Sequence, residues 1–112
     1  MTDTPPPYER TESSTVIAQQ IVKGEPYVEF LRRESMSAGM YVLDGGADDQ
    51  QQPHGQDELY YVVEGRAVLE VNGGQKPVQP GSLVFVAAGV THRFHSIASK
   101  LTVLVIFSPP ES

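Results

Sequence analysis

The chain has 112 residues and no cysteine, and its fourteen acidic and eight basic side chains give a formal net charge of −6 at pH 7. The length fits a single domain, and the lack of cysteine excludes disulfides, a thiolate nucleophile, zinc–thiolate clusters and iron–sulfur centres. The acidic balance disfavours nucleic acids and anionic membrane surfaces as partners, because both are bound mainly through lysine and arginine.

The first 14 residues are expected to form a flexible N-terminal tail. They include three consecutive prolines and one aromatic side chain, Tyr8, so burial cannot offset the entropy lost on ordering them. This beginning lacks the basic and apolar regions of a signal peptide, and no apolar run reaches the ~18 residues of a spanning helix. We therefore expect a cytoplasmic protein with one folded domain over residues 15–108 and a C-terminal tail over residues 109–112.

Turn signals rich in Gly and Pro divide this domain into short segments rich in Val, Ile, Tyr and Phe. In chain order the predicted strands are 15–22, 27–33, 39–43, 58–63, 66–71, 82–86, 92–97 and 101–107. Residues 11–22 come closest to a helical pattern, but their β-branched side chains favour a strand. Asn72-Gly73 predicts a type I′ hairpin turn after the strand 66–71. Short strands at this spacing predict an all-β fold, either a sandwich or a closed barrel.

The segment 52–58 carries the first candidate chemistry. His54 and Glu58 could share one face of a helix as an i,i+4 pair, but the neighbouring proline and glycine favour an extended chain. Alternate residues of an extended chain point to the same side, so Gln52, His54 and Glu58 project together and Tyr60 continues that face inward. An inward carboxylate needs a partner because an unpaired buried charge is costly, and a divalent cation would be such a partner.

The segment 91–96 is the second candidate. On a strand, His92, Phe94 and Ser96 face one way and His95 faces the other. Only one of these two histidines can therefore face the first segment. Every histidine of the chain lies in these two segments.

The spacing of these residues resembles the two sequence motifs of the cupin superfamily, which consists of small β-barrels that often hold one metal ion. The positions of the first motif are occupied by Gly46, Gln52-Pro53-His54, Glu58 and Gly65, with Gln52 in place of a histidine. Those of the second are occupied by Gly81, Ala87-Ala88-Gly89, His92 and Ser96, with alanine in place of a proline and serine in place of an asparagine. The resemblance covers about residues 35–108 and implies a single-domain, jelly-roll-like barrel of two antiparallel sheets.

The resemblance also implies a metal site formed by His54, Glu58 and His92. Gln52 would add an amide oxygen ligand, act as a hydrogen-bonding neighbour, or stay unbound. Two imidazoles and one carboxylate suit a divalent Fe, Mn, Ni or Zn ion with open coordination positions. Glu58 and Tyr60 are the candidate catalytic residues, and the expected substrate pocket is lined by Tyr60, Phe94, Ser96 and Met40.

Each candidate also has an ordinary structural interpretation. His54 would be an exposed loop histidine, Glu58 would pair with Arg66 or Arg93, and His92 would be a hydrogen-bonded core histidine. His95 is expected to face away from the metal. The remaining acids near the first motif are interpreted as solvated loop charges: Asp48, Asp49 and Asp57.

Two main classes of function stay open beside a regulatory or interaction module, for which the sequence offers no DNA-binding segment. One is a metal-dependent enzyme acting on a small organic molecule, a dioxygenase with iron or an isomerase or lyase with Zn or Mn. The alternative is a non-catalytic cupin that binds a small ligand such as a sugar or an acid, with or without a metal. We also expect a homodimer, because strands such as 101–107 carry apolar side chains on both faces.

Overall fold

The computed structural model describes residues 6–47, 49 and 54–111. The predictions for Asp48 and Gln52 therefore lie outside the described residues. The described part forms one helix and eight strands. They are α1 Ser13–Lys23, β1 Tyr27–Arg32, β2 Ser37–Leu43, β3 Asp57–Glu64, β4 Ala67–Val71, β5 Gly74–Val78, β6 Leu83–Val86, β7 His92–His95 and β8 Leu101–Ser108.

The strands form two antiparallel sheets that face each other. The larger sheet has the order β1-β2-β8-β3-β6 and the smaller one the order β5-β4-β7. Their inner faces pack into one hydrophobic core, which includes Tyr60, Leu69, Phe94 and Val103. The predicted all-β barrel of two antiparallel sheets is thereby confirmed.

Strand β3 shows how the sequence builds this core. Glu58, Tyr60 and Val62 are buried, whereas the alternating residues Leu59 and Tyr61 are exposed on the outer face. Because side chains of a strand alternate between its two faces, the apolar side chains on the inner face fix the register. The same register turns the Glu58 carboxylate into the barrel.

The predicted strand 15–22 is wrong, because this segment lies within α1. Val16 is buried against Val28, Met40 and Val42 on the outer face of the larger sheet, so tertiary packing outweighs the weak helix propensity of β-branched residues. The helix ends at Gly24, whose φ of 68° is left-handed and whose N–H donates to the Gln20 carbonyl at 2.9 Å. Among the described residues, no helix has both the length and the apolar character needed to cross a bilayer.

The hairpin turn was predicted correctly, but its second strand was missed. Asn72 and Gly73 have φ values of 49° and 83° and join β4 to β5, as a type I′ turn requires. The sequence of β5 contains Pro77, which argues against a central strand. The structure accommodates this proline because β5 lies at an edge of its sheet.

Candidate metal centre

Three side chains converge inside the barrel from different elements. Glu58 projects inward from β3, His92 from β7 of the opposite sheet, and His54 from the loop before β3. Glu58 Oε1 lies 3.2 Å from His54 Nε2, and Glu58 Oε2 lies 3.1 Å from His92 Nε2. One ligand atom from each residue lies within 4.8 Å of the other two. The structure therefore brings the three predicted metal ligands together.

The two segments that carry these ligands are joined by backbone hydrogen bonds. The Gly89 N–H donates to the His54 carbonyl at 2.7 Å, and the Ala88 N–H donates to Asp57 Oδ1 at 2.9 Å. The turn before β7 is thus fixed to the start of β3. These contacts set the position of His92 relative to Glu58.

Buried polar atoms at this centre are left without hydrogen bonds. Both Glu58 carboxylate oxygens and His92 Nε2 are buried and have no hydrogen-bond partner in the described part of the chain, despite the short distances between them. His92 Nδ1 lies 2.8 Å from the Val90 carbonyl, which can only accept, so the ring proton belongs on Nδ1. The Nε2 lone pair then faces a carboxylate oxygen, and only a proton or a cation between them removes the repulsion. The donor set fits a divalent cation.

Opposing effects act on His92. Its burial lowers the pKa of the imidazole, whereas the Glu58 carboxylate and the Val90 carbonyl raise it, and the net pKa lies above the ordinary value of histidine. A positive charge at this position is therefore favoured by the surroundings.

His54 occupies a more exposed position than His92. Its side chain is 23% exposed, and its ring packs edge-on against Phe107 with a centroid distance of 5.3 Å. Nε2 faces Glu58, while Nδ1 lies 3.5 Å from Oε2 of Glu111. Glu111 belongs to the segment predicted to be a C-terminal tail, and sequence analysis missed it.

A cavity of about 200 Å³ opens beside His54. Apart from His54 and Glu111, the described residues of its lining are apolar or aromatic: Pro26, Tyr27, Tyr41, Val105 and Phe107. Gly39 makes room for this wall, because a Cβ there would lie 2.2 Å from the Tyr27 ring. The Tyr27 hydroxyl is buried without a hydrogen-bond partner within the described residues, and burial raises the pKa of Tyr27, so the phenol is neutral.

The described residues that line this cavity do not include the four predicted pocket residues. Tyr60 and Phe94 are buried in the core behind His92. The centroid of the Tyr60 ring lies 6.0 Å from that of His92 and 5.1 Å from that of Phe94. Ser96 is exposed, and its Oγ lies 2.9 Å from His95 Nδ1. As predicted, His95 faces away from the centre.

Met40 requires a correction. Its side chain lies on the outer face of β2, in the cluster under α1. Its neighbour Tyr41 lines the cavity instead, because successive residues of a strand point to opposite faces. The sequence pattern of β2 could not reveal this, since residues on both of its faces are buried.

Asp49 also differs from the expectation of a solvated loop charge. It is 4% exposed, and its carboxylate accepts hydrogen bonds from the Tyr41 hydroxyl at 2.7 Å and the Phe94 N–H at 2.8 Å. Asp57 is exposed, as expected. Asp49 thus fixes one point of the loop before His54 to both sheets.

The arginines considered as partners of Glu58 bind elsewhere. Arg66 donates to the Gln79 side chain at 2.7 Å, and Arg93 lies 3.7 Å from the Glu70 carboxylate. Within the described part of the chain, Glu58 therefore faces the two histidines rather than an arginine.

Comparisons with known proteins agree with this architecture. A Streptomyces coelicolor protein described as uncharacterized is 50% identical over 95 residues, which cover 85% of this chain and 90% of that protein. The structure of KdgF from a Halomonas species aligns with a TM-score of 0.68 at 23% identity, over 74% of this chain and 76% of its own. An RmlC-like cupin from Shewanella frigidimarina gives a TM-score of 0.68 at 25% identity, over 74% of each chain.

The family comparison covers the segments that carry all three candidate ligands. The family model described as "Cupin domain" matches residues 39–107. This range includes both motifs noted in the sequence and most of the two sheets. The chain belongs to the cupin family.

Proposed function

We propose that this cupin holds one divalent transition-metal ion through His54, Glu58 and His92 and acts as an enzyme on a small organic molecule. The observation that carries the proposal is the buried Glu58 carboxylate, whose two oxygens each face a histidine nitrogen and have no hydrogen bond to any described residue. Two nitrogen donors and a carboxylate suit Fe, Mn, Ni or Zn. When bound, such an ion supplies Lewis-acid polarisation of a substrate oxygen or, in the case of iron, redox chemistry with O₂.

The cavity beside His54 supports a small and largely apolar substrate. Its volume of about 200 Å³ is below the roughly 300–1,000 Å³ common for ligand pockets. Tyr41 and Phe107 exclude water from one side of the cavity. A polar sugar fits this lining less well than a compact carbonyl or aromatic compound.

Different roles follow for the two predicted catalytic residues. Glu58 serves as a ligand and orients both imidazoles, which leaves it unsuited to proton transfer. Tyr60 lies against His92 and outside the lining of the cavity. We therefore propose that Tyr60 acts by holding the His92 ring in place.

The metal content of the purified protein tests this proposal. Protein prepared without a histidine tag should contain about one equivalent of Fe, Mn, Ni or Zn, and the Glu58→Gln variant should lose it. Glu64→Gln is the matched control, because Glu64 lies on the same strand and is exposed. Wild-type protein that is free of metal and takes up none after dialysis against these ions would contradict the proposal.

Activity assays separate the reaction classes. O₂ consumption by the iron-loaded protein with thiols, diketones and catechols would identify a dioxygenase. Proton exchange at the α-carbon of carbonyl compounds by the Zn- or Mn-loaded protein would identify isomerase or lyase chemistry. A protein that binds small sugars or acids in a thermal-shift screen but turns over no compound would fit the non-catalytic alternative.

A homodimer is also part of the proposal. A patch on the outer face, the β3–β6 patch, consists of Leu59, Tyr61, Val63, Leu83 and Phe85, of which Leu83 and Phe85 are 69% and 62% exposed. Its members are neighbours in the sheet, since Leu59 pairs with Phe85 and Tyr61 pairs with Leu83. A symmetric contact between two such patches would bury them.

Light scattering tests the dimer. Wild-type protein should have twice the mass of the chain, and the Leu83→Glu, Phe85→Glu double variant should have the mass of one chain. Val22→Glu, an exposed apolar position on α1, is the control and should stay dimeric. A monomeric wild-type protein would overturn this part. The cytoplasmic location and the lack of nucleic-acid and membrane partners remain predictions from the sequence alone.

A further inference from the structure

The segment after β8 folds back over the rim of the barrel. The Glu111 N–H donates to Ser37 Oγ at 2.9 Å, and the Arg32 guanidinium donates to the Glu111 carbonyl. Gln56 Nε2 donates to the Pro110 carbonyl at 3.4 Å. Ser37 is fully buried and Gln56 largely so, so the backbone of this segment is fixed to well-packed residues.

This anchoring brings the Glu111 carboxylate to the outer side of His54. Oε2 lies 3.5 Å from Nδ1, on the side of the ring opposite to Glu58. The ring edge also rests on Phe107, which limits its rotation. Glu111 and His54 line the same cavity.

Both histidines of the centre therefore have an oxygen beside Nδ1 and Glu58 beside Nε2. The oxygen beside Nδ1 lies at hydrogen-bond distance in His92, 2.8 Å, and at the longer ion-pair distance of 3.5 Å in His54. In His92, Nδ1 faces the Val90 carbonyl and Nε2 faces Glu58. In His54, Nδ1 faces Glu111 and Nε2 faces Glu58. An oxygen acceptor at Nδ1 keeps the proton there and leaves the Nε2 lone pair free for a ligand bond.

We propose that Glu111 is a positioning residue of the metal centre: its carboxylate accepts the Nδ1 proton of His54 and so leaves the Nε2 lone pair free to bind the ion beside Glu58. The purpose of this contact rests on the proposed metal-binding function. A carboxylate behind a ligating imidazole also makes the imidazole a stronger donor. Glu111 then acts on His54 as the Val90 carbonyl acts on His92, by accepting the Nδ1 proton.

Two measurements on the full-length chain test this inference. The first is the Nδ1 proton of His54 in the Zn²⁺-loaded protein, observed by ¹H–¹⁵N NMR; with Nε2 bound to the ion, this proton reports the contact with Glu111. The wild type should show a downfield-shifted, slowly exchanging Nδ1 proton, and in Glu111→Ala this proton should lose its downfield shift and exchange faster with water. Glu111→Gln should stay close to the wild type, because an amide oxygen still accepts the proton.

The second measurement is the affinity for Zn²⁺ by competition with a chelating dye. Loss of an outer partner of a ligating histidine costs roughly 10–100-fold in metal affinity, so Glu111→Ala should bind Zn²⁺ more weakly by about this factor. Glu111→Gln should fall between Glu111→Ala and the wild type. Glu34→Gln is the matched control, since Glu34 is an exposed acid between β1 and β2, and it should remain within about twofold of the wild type.

The outcomes distinguish this inference from the proposed function. An unchanged Nδ1 proton signal and an unchanged affinity in Glu111→Ala, with a wild type that binds Zn²⁺, would overturn the role of Glu111 alone. A wild type that binds no Zn²⁺ would overturn the metal site and, with it, the purpose of the contact. An equal loss of affinity in Glu34→Gln would show that the effect comes from the change in net charge and would also overturn the inference.

Discussion

The candidate metal centre has two halves that are held in different ways. Glu58 and His92 lie on strands of opposite sheets, and their side chains are 1% and 2% exposed. His54 lies in a loop, is 23% exposed, and is approached by Glu111 from the end of the chain. Sheet hydrogen bonds and core packing fix the strand-borne half, whereas side-chain contacts hold the loop-borne half. The fold alone therefore positions two ligands, and the third depends on groups far away in the sequence.

The strand-borne half should be the more sensitive to substitution. In the metal-free protein, His92→Ala removes the buried partner of Glu58 Oε2 and leaves an uncompensated carboxylate. Breaking a buried ion pair costs about 3–5 kcal/mol, and we expect the free energy of unfolding to fall by about 3 kcal/mol. Urea unfolding monitored by circular dichroism measures this. A loss no larger than that of His95→Ala, the outward-facing histidine of the same strand, would show that the pair is not formed.

Asp49 links the two halves, and its loss should have an intermediate effect. Asp49→Ala leaves the Tyr41 hydroxyl and the Phe94 N–H without their acceptor. Unsatisfied buried polar groups cost about 1–3 kcal/mol each, so we expect a loss of about 2 kcal/mol in the same unfolding experiment. Asp44→Ala, an exposed acid just after β2, is the control and should change stability little. Equal stability of Asp49→Ala and the wild type would show that the hydrogen bonds of Asp49 to Tyr41 and Phe94 do not stabilise the fold.

The loop-borne half should tolerate substitution in the metal-free protein. His54→Ala removes a partly exposed ring whose place water can fill, so the free energy of unfolding should fall by about 1 kcal/mol or less. Its Zn²⁺ affinity should nevertheless fall by at least the factor expected for Glu111→Ala, because a ligand itself is lost. A variant that is strongly destabilised, or that binds Zn²⁺ as the wild type does, would remove the distinction between the two halves.

The parts of the molecule that could be predicted from the sequence are those governed by local alternation and turn chemistry. The pattern of β3 predicted that Glu58 and Tyr60 point inward, and Asn72-Gly73 predicted its turn. The helix α1 was missed because its β-branched residues suit a strand. The helix is stabilised by burial of Val16 on the outer face of the larger sheet, which a local sequence pattern does not show. Met40 and Tyr41 could not be distinguished by hydropathy because both faces of β2 are covered.

The remaining errors concern contacts between residues distant in the chain. Asp49 looks like a surface acid until the Tyr41 hydroxyl and the Phe94 N–H are placed beside it. Glu111 looks like part of a polar tail until Ser37 and Arg32 hold its backbone at the rim. No local pattern reports such contacts, because the partners are separated by up to 79 positions. They concentrate at the loop-borne half of the site.

The central claim is that one cation binds between His54, Glu58 and His92, and anomalous diffraction from crystals grown with Zn²⁺ or Mn²⁺ tests it most directly. We expect one strong anomalous peak about 2.0–2.2 Å from Nε2 of each histidine and from a Glu58 oxygen. The peak should be absent from crystals of Glu58→Gln. A map with no peak between these residues, in crystals that show the ion elsewhere, would contradict the claim.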